Sequence, residues 1–218
     1  LSDIITNKGK LKITDQSSKK TGKITNTISG TYSNYINIIK NQGTLEIDGI
    51  EMDGQANTYN IYNESGATSI IRNSNIKAIK NLGTMSVYGG KANSIINVGE
   101  LTLENGECIY LLNDENSSAN VTNIIIKNDT TINNYGVLNL EGTQKEDSNK
   151  TLKINNQYLG EIVAKDVDIN TVENYGKFKL LTGKCYVIND QITYLSYTTY
   201  RGTAEIIGGE VYQVNNNG

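Results

Sequence analysis

Histidine, proline and tryptophan are absent from this 218-residue chain, phenylalanine occurs once, and cysteine and methionine occur twice each. Without imidazole every Ser-His and Cys-His catalytic pair is excluded. Two distant cysteines are a poor basis for a zinc site, and no metal or other cofactor is expected. At an average usage of ~5%, about eleven prolines would be normal. Proline cannot donate to a β ladder, so its absence suits a chain held in ladders and hydrogen-bonded corners. A low-GC genome would suppress proline as well. Excess positive charge is also lacking: 20 Lys and Arg face 23 Asp and Glu, a net charge of −3, which argues against a nucleic-acid surface. No apolar run approaches the ~20 residues that span a bilayer, so no membrane insertion is expected. The chain starts in mid-pattern at Leu1 with no signal peptide and stops at Asn215-Asn216-Asn217-Gly218. Both ends look cut, and a longer parent protein is expected.

What the chain has in excess is asparagine (31), glycine (21) and tyrosine (14), and the first two recur in a repeat. Residues 81–99 carry its full form: Asn-x-Gly, an alternating apolar pair, a Gly-Gly corner, a small residue, then Ile and a closing Asn. The opening half returns from Asn7, Asn41, Asn97, Asn134 and Asn174, and the closing half after Gly30, Gly90, Gly106, Gly183 and Gly209. The anchor glycines Gly9, Gly43, Gly66, Gly83, Gly99, Gly136, Gly176 and Gly202 are 34, 23, 17, 16, 37, 40 and 26 residues apart. Reading the long intervals as two turns gives coils of about 16–23 residues and roughly eleven of them.

Leu45/Ile47, Met85/Val87, Leu101/Leu103, Leu138/Leu140 and Phe178/Leu180 alternate with polar residues at the period of a strand, and no helical period competes. Similar short strands joined by corners cannot make an open parallel sheet. They can coil, each strand lying on its own copy one turn later. The fold expected is therefore all-β: a right-handed parallel β-helix forming one domain over 1–218. Asn7, Asn41, Asn81, Asn97, Asn134 and Asn174 should form a column of mutually bonded amides. Cys108 and Cys185 each lie two residues after a corner glycine, about four coils apart. At ~4.8 Å per layer they are ~19 Å apart, far beyond disulfide reach, and should be reduced core residues.

Chemistry is sparser. Glu46, Asp48, Glu51 and Asp53 form the densest acid group, readable as a solvated face or, less naturally, as a Ca²⁺ or catalytic cluster. Tyr135 and Tyr175 occupy one template position. Tyr194, Tyr197 and Tyr200 break the alternation beside Arg201, and these four are the candidate ligand-binding residues, since aromatic platforms bind sugars and anchor interfaces. The polar stretches 113–120 and 143–150 read as loops extruded from corners.

The repeat N-x-G-x-L-x-I-x-G-G-x-A-x-x-I-x-N, clearest over 30–112 and 134–214, resembles that of large cell-surface β-helix proteins of Gram-positive and gut bacteria, within the pectin-lyase-like superfamily. That resemblance implies an extracellular, wall- or surface-located adhesin or stalk segment with no catalytic residue and a host or matrix protein or glycan as partner. A carbohydrate-binding module or polysaccharide lyase is the alternative it leaves open, and exposed coil ends carry a risk of end-to-end association.

Overall fold

The computed structural model describes residues 3–19, 22–25, 36–53, 58–195 and 198–217. Of the copy of the repeat after Gly30, residues 30–35 lie outside them, while the strand Ile36–Asn41 is described. Among the described residues there is no helix, and one long parallel sheet winds about 315° around an axis. The chain is a right-handed parallel β-helix.

The shortest coil shows why the sequence closes in 16 residues. The seven-residue strand Lys91–Asn97 meets a two-residue corner at Val98-Gly99. The five-residue strand Glu100–Glu104 then runs to a second corner, Asn105-Gly106, and the next coil starts at Glu107. Alternation holds on the short strand, where Leu101 and Leu103 are buried. On the long strand it breaks once: Ala92 and Ile95, three apart, are both buried. The ladder skips Asn93 at that point. The long strand therefore bends and contributes two faces, which makes the coil three-sided. Ile76/Ile79, Cys108/Leu111, Val172 after Ile169, and Ile188 after Cys185 repeat the bend.

Like residues meet like. Leu45, Ser69, Met85, Leu101, Ala119, Leu138, Ile162, Phe178 and Ala204 form one unbroken column of Cα partners. A second runs Ile5, Ile39, Ile61, Ile79, Ile95, Leu111, Ile132, Ile154, Val172, Ile188 and Val214. Cys108 and Cys185 are buried and free, in line with Ala92 and Val211.

The asparagine column is longer than the six expected members. Asn7, Asn41, Asn63, Asn81, Asn97, Asn113, Asn134, Asn156 and Asn174 each donate Nδ2–H to the Oδ1 of the next, over 2.7–3.0 Å, and Asn174 donates to Asp190. With Asn216 opposite Asp190 the rungs mark eleven coils. Asn63, Asn113 and Asn156 are hidden in the sequence because their corners hold two more residues. There Ala67, Ser117 and Gly160 donate N–H to the carbonyls of Glu64, Asp114 and Gln157, closing four-residue turns.

Coil lengths need correction at the ends. Ile5–Asn7 pairs directly with Ile39–Asn41, so the 34-residue interval is one long coil, not two. The interval from Gly176 to Gly202 is a 16-residue coil followed by an insertion. Nor are the polar stretches both loops. Residues 114–117 are one of the tight turns, and Ser118 already begins the strand Ser118–Ile126. Thr143–Lys145 finish the strand Val137–Lys145, leaving only 146–151 outside the ladder.

The corner glycines Gly43, Gly83, Gly99, Gly136, Gly176 and Gly202 are required by the coil beneath, whereas a Cβ on the expected anchor Gly66 would meet nothing within 4 Å, and Ala67 holds its place in the column. A Cβ on Gly99 would sit 2.2 Å from the Gly83 carbonyl oxygen, and one on Gly176 would sit 2.2 Å from that of Gly160. Gly9, in the first coil, has no atom of the described residues within 4 Å of that position.

Two outcomes follow for urea unfolding followed by circular dichroism. Asn97→Leu removes one of the two acceptors of the buried Asn81 amide and one of the two donors to Asn113 Oδ1, each at about 1–3 kcal/mol, so a loss of ~2–5 kcal/mol is expected. Asn120→Leu, whose amide is bonded only at the surface, should change stability by less than about 0.5 kcal/mol. Gly99→Ala should cost about 3 kcal/mol by overpacking, whereas the same change at Gly9 should leave the midpoint unmoved.

Candidate ligand-binding surface

The tyrosine-rich segment leaves the solenoid altogether. Ile192–Leu195 and Thr198–Arg201 form an antiparallel hairpin outside the parallel sheet, with Gly202 N–H donating to Gln191 O at 2.9 Å across its base. This insertion is why 191–200 departs from the repeat. The backbone places Tyr194 opposite Thr199, Tyr200 opposite Thr193 and Arg201 opposite Ile192, and Arg201 is exposed. Tyr197 lies outside the described residues. Tyr194 and Tyr200 therefore sit on facing strands in adjacent pairs, with Arg201 at the hairpin's base.

A second aromatic feature lies on the solenoid itself. Tyr186 and Tyr212 follow Cys185 and Val211, at the bend where the long strand turns its outer face. Their rings stack, with centroids 5.0 Å apart and planes 9° from parallel. They are 39% and 62% exposed, an open platform on its outer side. Beside it the Lys145 ammonium donates to Asp168 Oδ1 at 2.7 Å and Asn170 Oδ1 at 3.0 Å, and lies 5.8 Å from the Tyr186 ring centroid. Lys145, Ser148, Asp168, Asn170 and Tyr186 line a cleft of about 350 Å³. Asn170 is held because its Oδ1 also accepts Leu152 N–H, and Asp168 N–H donates to Thr143 Oγ1 at 2.7 Å. The Tyr212 hydroxyl donates to the Glu210 carboxylate, and that bond with the nearby charge raises its pKa, so the phenol stays protonated. A flat ring pair, a cation and fixed amide and carboxylate oxygens can together stack a sugar ring and bond its hydroxyls.

Tyr186 and Tyr212 were readable in principle. Aligning Cys185 with Val211 as equivalent core positions puts the next residue of each coil in one outward column. Tyr135 and Tyr175 do share a corner column, but Gln157 stands between them: Gln157 N–H donates to Asn134 O and Tyr175 N–H to Asn156 O.

The acid group is dispersed among its own counter-ions. Glu46 pairs with Lys12 at 3.3 Å, Glu51 with Lys23 at 2.8 Å and Asp53 with Lys77 at 3.8 Å, while Asp48 accepts from Asn73. Among the described residues no three His, Cys, Asp or Glu converge on a common point. The same cross-coil logic recurs at Lys40–Glu64, Lys127–Glu107, Lys165–Glu141 and Lys177–Glu161. Such exposed pairs add little stability each, but they neutralise stacked like charges along the sheet.

Burial pushes the Cys108 and Cys185 thiols up to about 12, and their S–H groups donate weakly to the Tyr110 and Val187 carbonyls. No family model, curated protein or solved structure matches this chain.

A thiol with that pKa is about one part in ten thousand thiolate at pH 8. Both cysteines should therefore resist a soluble disulfide reagent in the folded chain, and two thiols should titrate at once in denaturant. Rapid reaction of either one in native buffer would contradict this burial.

Proposed function

We propose that the chain is a non-catalytic, surface-exposed segment of an extracellular bacterial protein, a stiff spacer whose side binds a host or matrix ligand. The repeat's resemblance to pectin-lyase-like surface adhesins suggests the setting. The observation that carries the spacer role is the continuous ladder: eleven stacked coils at ~4.8 Å each make a rod of ~50 Å, and among the described residues the asparagine column runs unbroken along it. Charges paired coil to coil along the exposed sheet support a binding surface over a reaction centre.

The second reading is a carbohydrate-binding module, favoured by the Tyr186–Tyr212 platform beside Lys145 and Asp168. A glycan array and a panel of matrix proteins, with a lyase assay on acidic polysaccharides, separate the readings. If the platform binds glycan, Tyr212→Ala should weaken binding about tenfold, the scale of one lost stacking contact, with no change in melting temperature because the ring is exposed. Tyr194→Ala tests the hairpin in the same assay. Binding to matrix protein that both variants retain would place the contact on another face. Turnover of any polysaccharide would sink the non-catalytic reading.

A further inference from the structure

One edge of the solenoid is notched. The corner that follows each asparagine rung holds four residues after Asn113 and Asn156, but only two, Tyr135-Gly136 and Tyr175-Gly176, after Asn134 and Asn174. After the Asp190 rung the same corner carries the antiparallel hairpin of 192–201. Long and short corners therefore alternate over five consecutive coils, and a tyrosine stands in each short one. The notch at Tyr135 encloses about 530 Å³. Its floor is Tyr135, Gly136 and Val137, with the turn of 115–118 on one side and Leu159 and Glu161 on the other. The Tyr158 hydroxyl donates to Glu115 Oε1 at 3.3 Å and ties the two raised turns together.

Three observations mark this edge as a binding surface, all of them away from the first and last coils. Val137 and Leu159 are 44% and 51% exposed, although the neighbours of Val137 in its outward column are Ser118 and Glu161. Tyr135 and Tyr175 are half-buried, and among the described residues neither hydroxyl has a hydrogen-bond partner. Asp114 and Glu115 have no ion-pair partner among the described residues, unlike Glu141 and Glu161.

We propose that this edge binds an extended proline-rich segment of a partner protein, lying along the solenoid axis as a polyproline II helix. The spacing carries the assignment. Tyr135 and Tyr175 are two coils apart, ~9.6 Å at ~4.8 Å per layer. A polyproline II chain repeats its facing every three residues, ~9.3 Å at ~3.1 Å each. Prolines at i and i+3 would thus reach successive tyrosines, with the turn of 157–160 between them. A β-strand repeats its facing every ~6.7 Å and would fall out of step.

The chemistry agrees. Proline rings pack on aromatic and apolar side chains, and a preformed polyproline II segment loses little conformational entropy on docking. Its carbonyls have no internal hydrogen bonds, so the two tyrosine hydroxyls can donate to them. Asp114 and Glu115 lie at one end of the row and suit a lysine or arginine beside the prolines. The inference deepens the spacer reading by naming a class of partner, and rests on it only in requiring that the side of the rod bind. Tyr186 and Tyr212 stand at the bend of the long strand and take no part.

The test is fluorescence anisotropy of a labelled synthetic peptide with proline at every third position and lysine at both ends. Saturable binding is expected. Tyr135→Ala and Tyr175→Ala should each weaken it at least about tenfold, one such step being ~1.4 kcal/mol, whereas Tyr212→Ala should not change it. Tyr135→Phe keeps the ring in place and removes only the hydroxyl, so its expected loss of about threefold cannot come from misfolding. A peptide with its prolines four apart engages one tyrosine at a time and should bind about tenfold more weakly. Glu115→Gln should weaken the lysine-ended peptide and leave a glycine-ended one unchanged. No saturable binding, equal binding of a proline-free peptide of the same charge, or equal binding by both tyrosine variants would overturn the proposal. So would β-1,4-linked oligosaccharides that displace the peptide and need the same tyrosines, which would make the edge a glycan site. Matrix-protein binding that survives both tyrosine substitutions, with no peptide binding, would overturn this inference and leave the spacer reading standing.

Discussion

A buried amide must satisfy its carbonyl oxygen and two N–H donors, and each asparagine of the buried column needs the coils before and after it as well as its own corner to do so. Asn81 shows the arrangement. Its Oδ1 takes the Asn63 amide and Gly83 N–H, and its Nδ2 serves Asn97 and the Glu100 carbonyl. Such a rung has no meaning in an isolated coil. It forces the turns to stack in register, because a slip of one residue would bury an unpaired amide and turn the apolar set outward. The corner glycine belongs to the same constraint, since the tight Asn-x-Gly turn is possible only where nothing projects toward the carbonyl below.

Once the corners are superposed, the faces between them follow. Apolar residues fall into columns and make one continuous core, and the outward columns bring lysine over glutamate again and again. The acids Glu46, Glu51 and Asp53, dense in the sequence, are spread along this surface and neutralised from neighbouring coils. Stacking also explains where the regular pattern fails. Four-residue turns at 64–67, 114–117 and 157–160 widen a corner without moving the rung, and the hairpin of 192–201 is inserted after the Asp190 rung before the parallel ladder resumes at Thr203. A repeat architecture absorbs such insertions at its corners because each coil's contacts are with its neighbours alone.

The outer bend column is where residue identity is least constrained by packing, and there the paired rings of Tyr186 and Tyr212 stand beside the Lys145–Asp168–Asn170 cluster. Two consecutive coils carry tyrosine at the same bend position, so the rings stack at the spacing of the coils themselves. Lys145 reaches them because its strand runs on to nine residues before the loop at 146–151. The platform with its polar cluster is thus assembled from four coils, with no single segment containing it.

The sequence by itself determined the class of fold, the parallel stacking, the approximate number of coils and the reduced state of Cys108 and Cys185. Those follow from local periodicity and from the repeat, which any one coil displays. Only the tertiary structure decided which intervals are one coil and which are two, that Asn63, Asn113 and Asn156 belong to the buried ladder, that Tyr194 and Tyr200 ride on an antiparallel hairpin, and that Tyr186 meets Tyr212. Each of those depends on which residue of the next turn lies opposite, a pairing between positions 16 to 34 residues apart. Corners of variable length conceal that distance, and hydrogen bonds between coils set it.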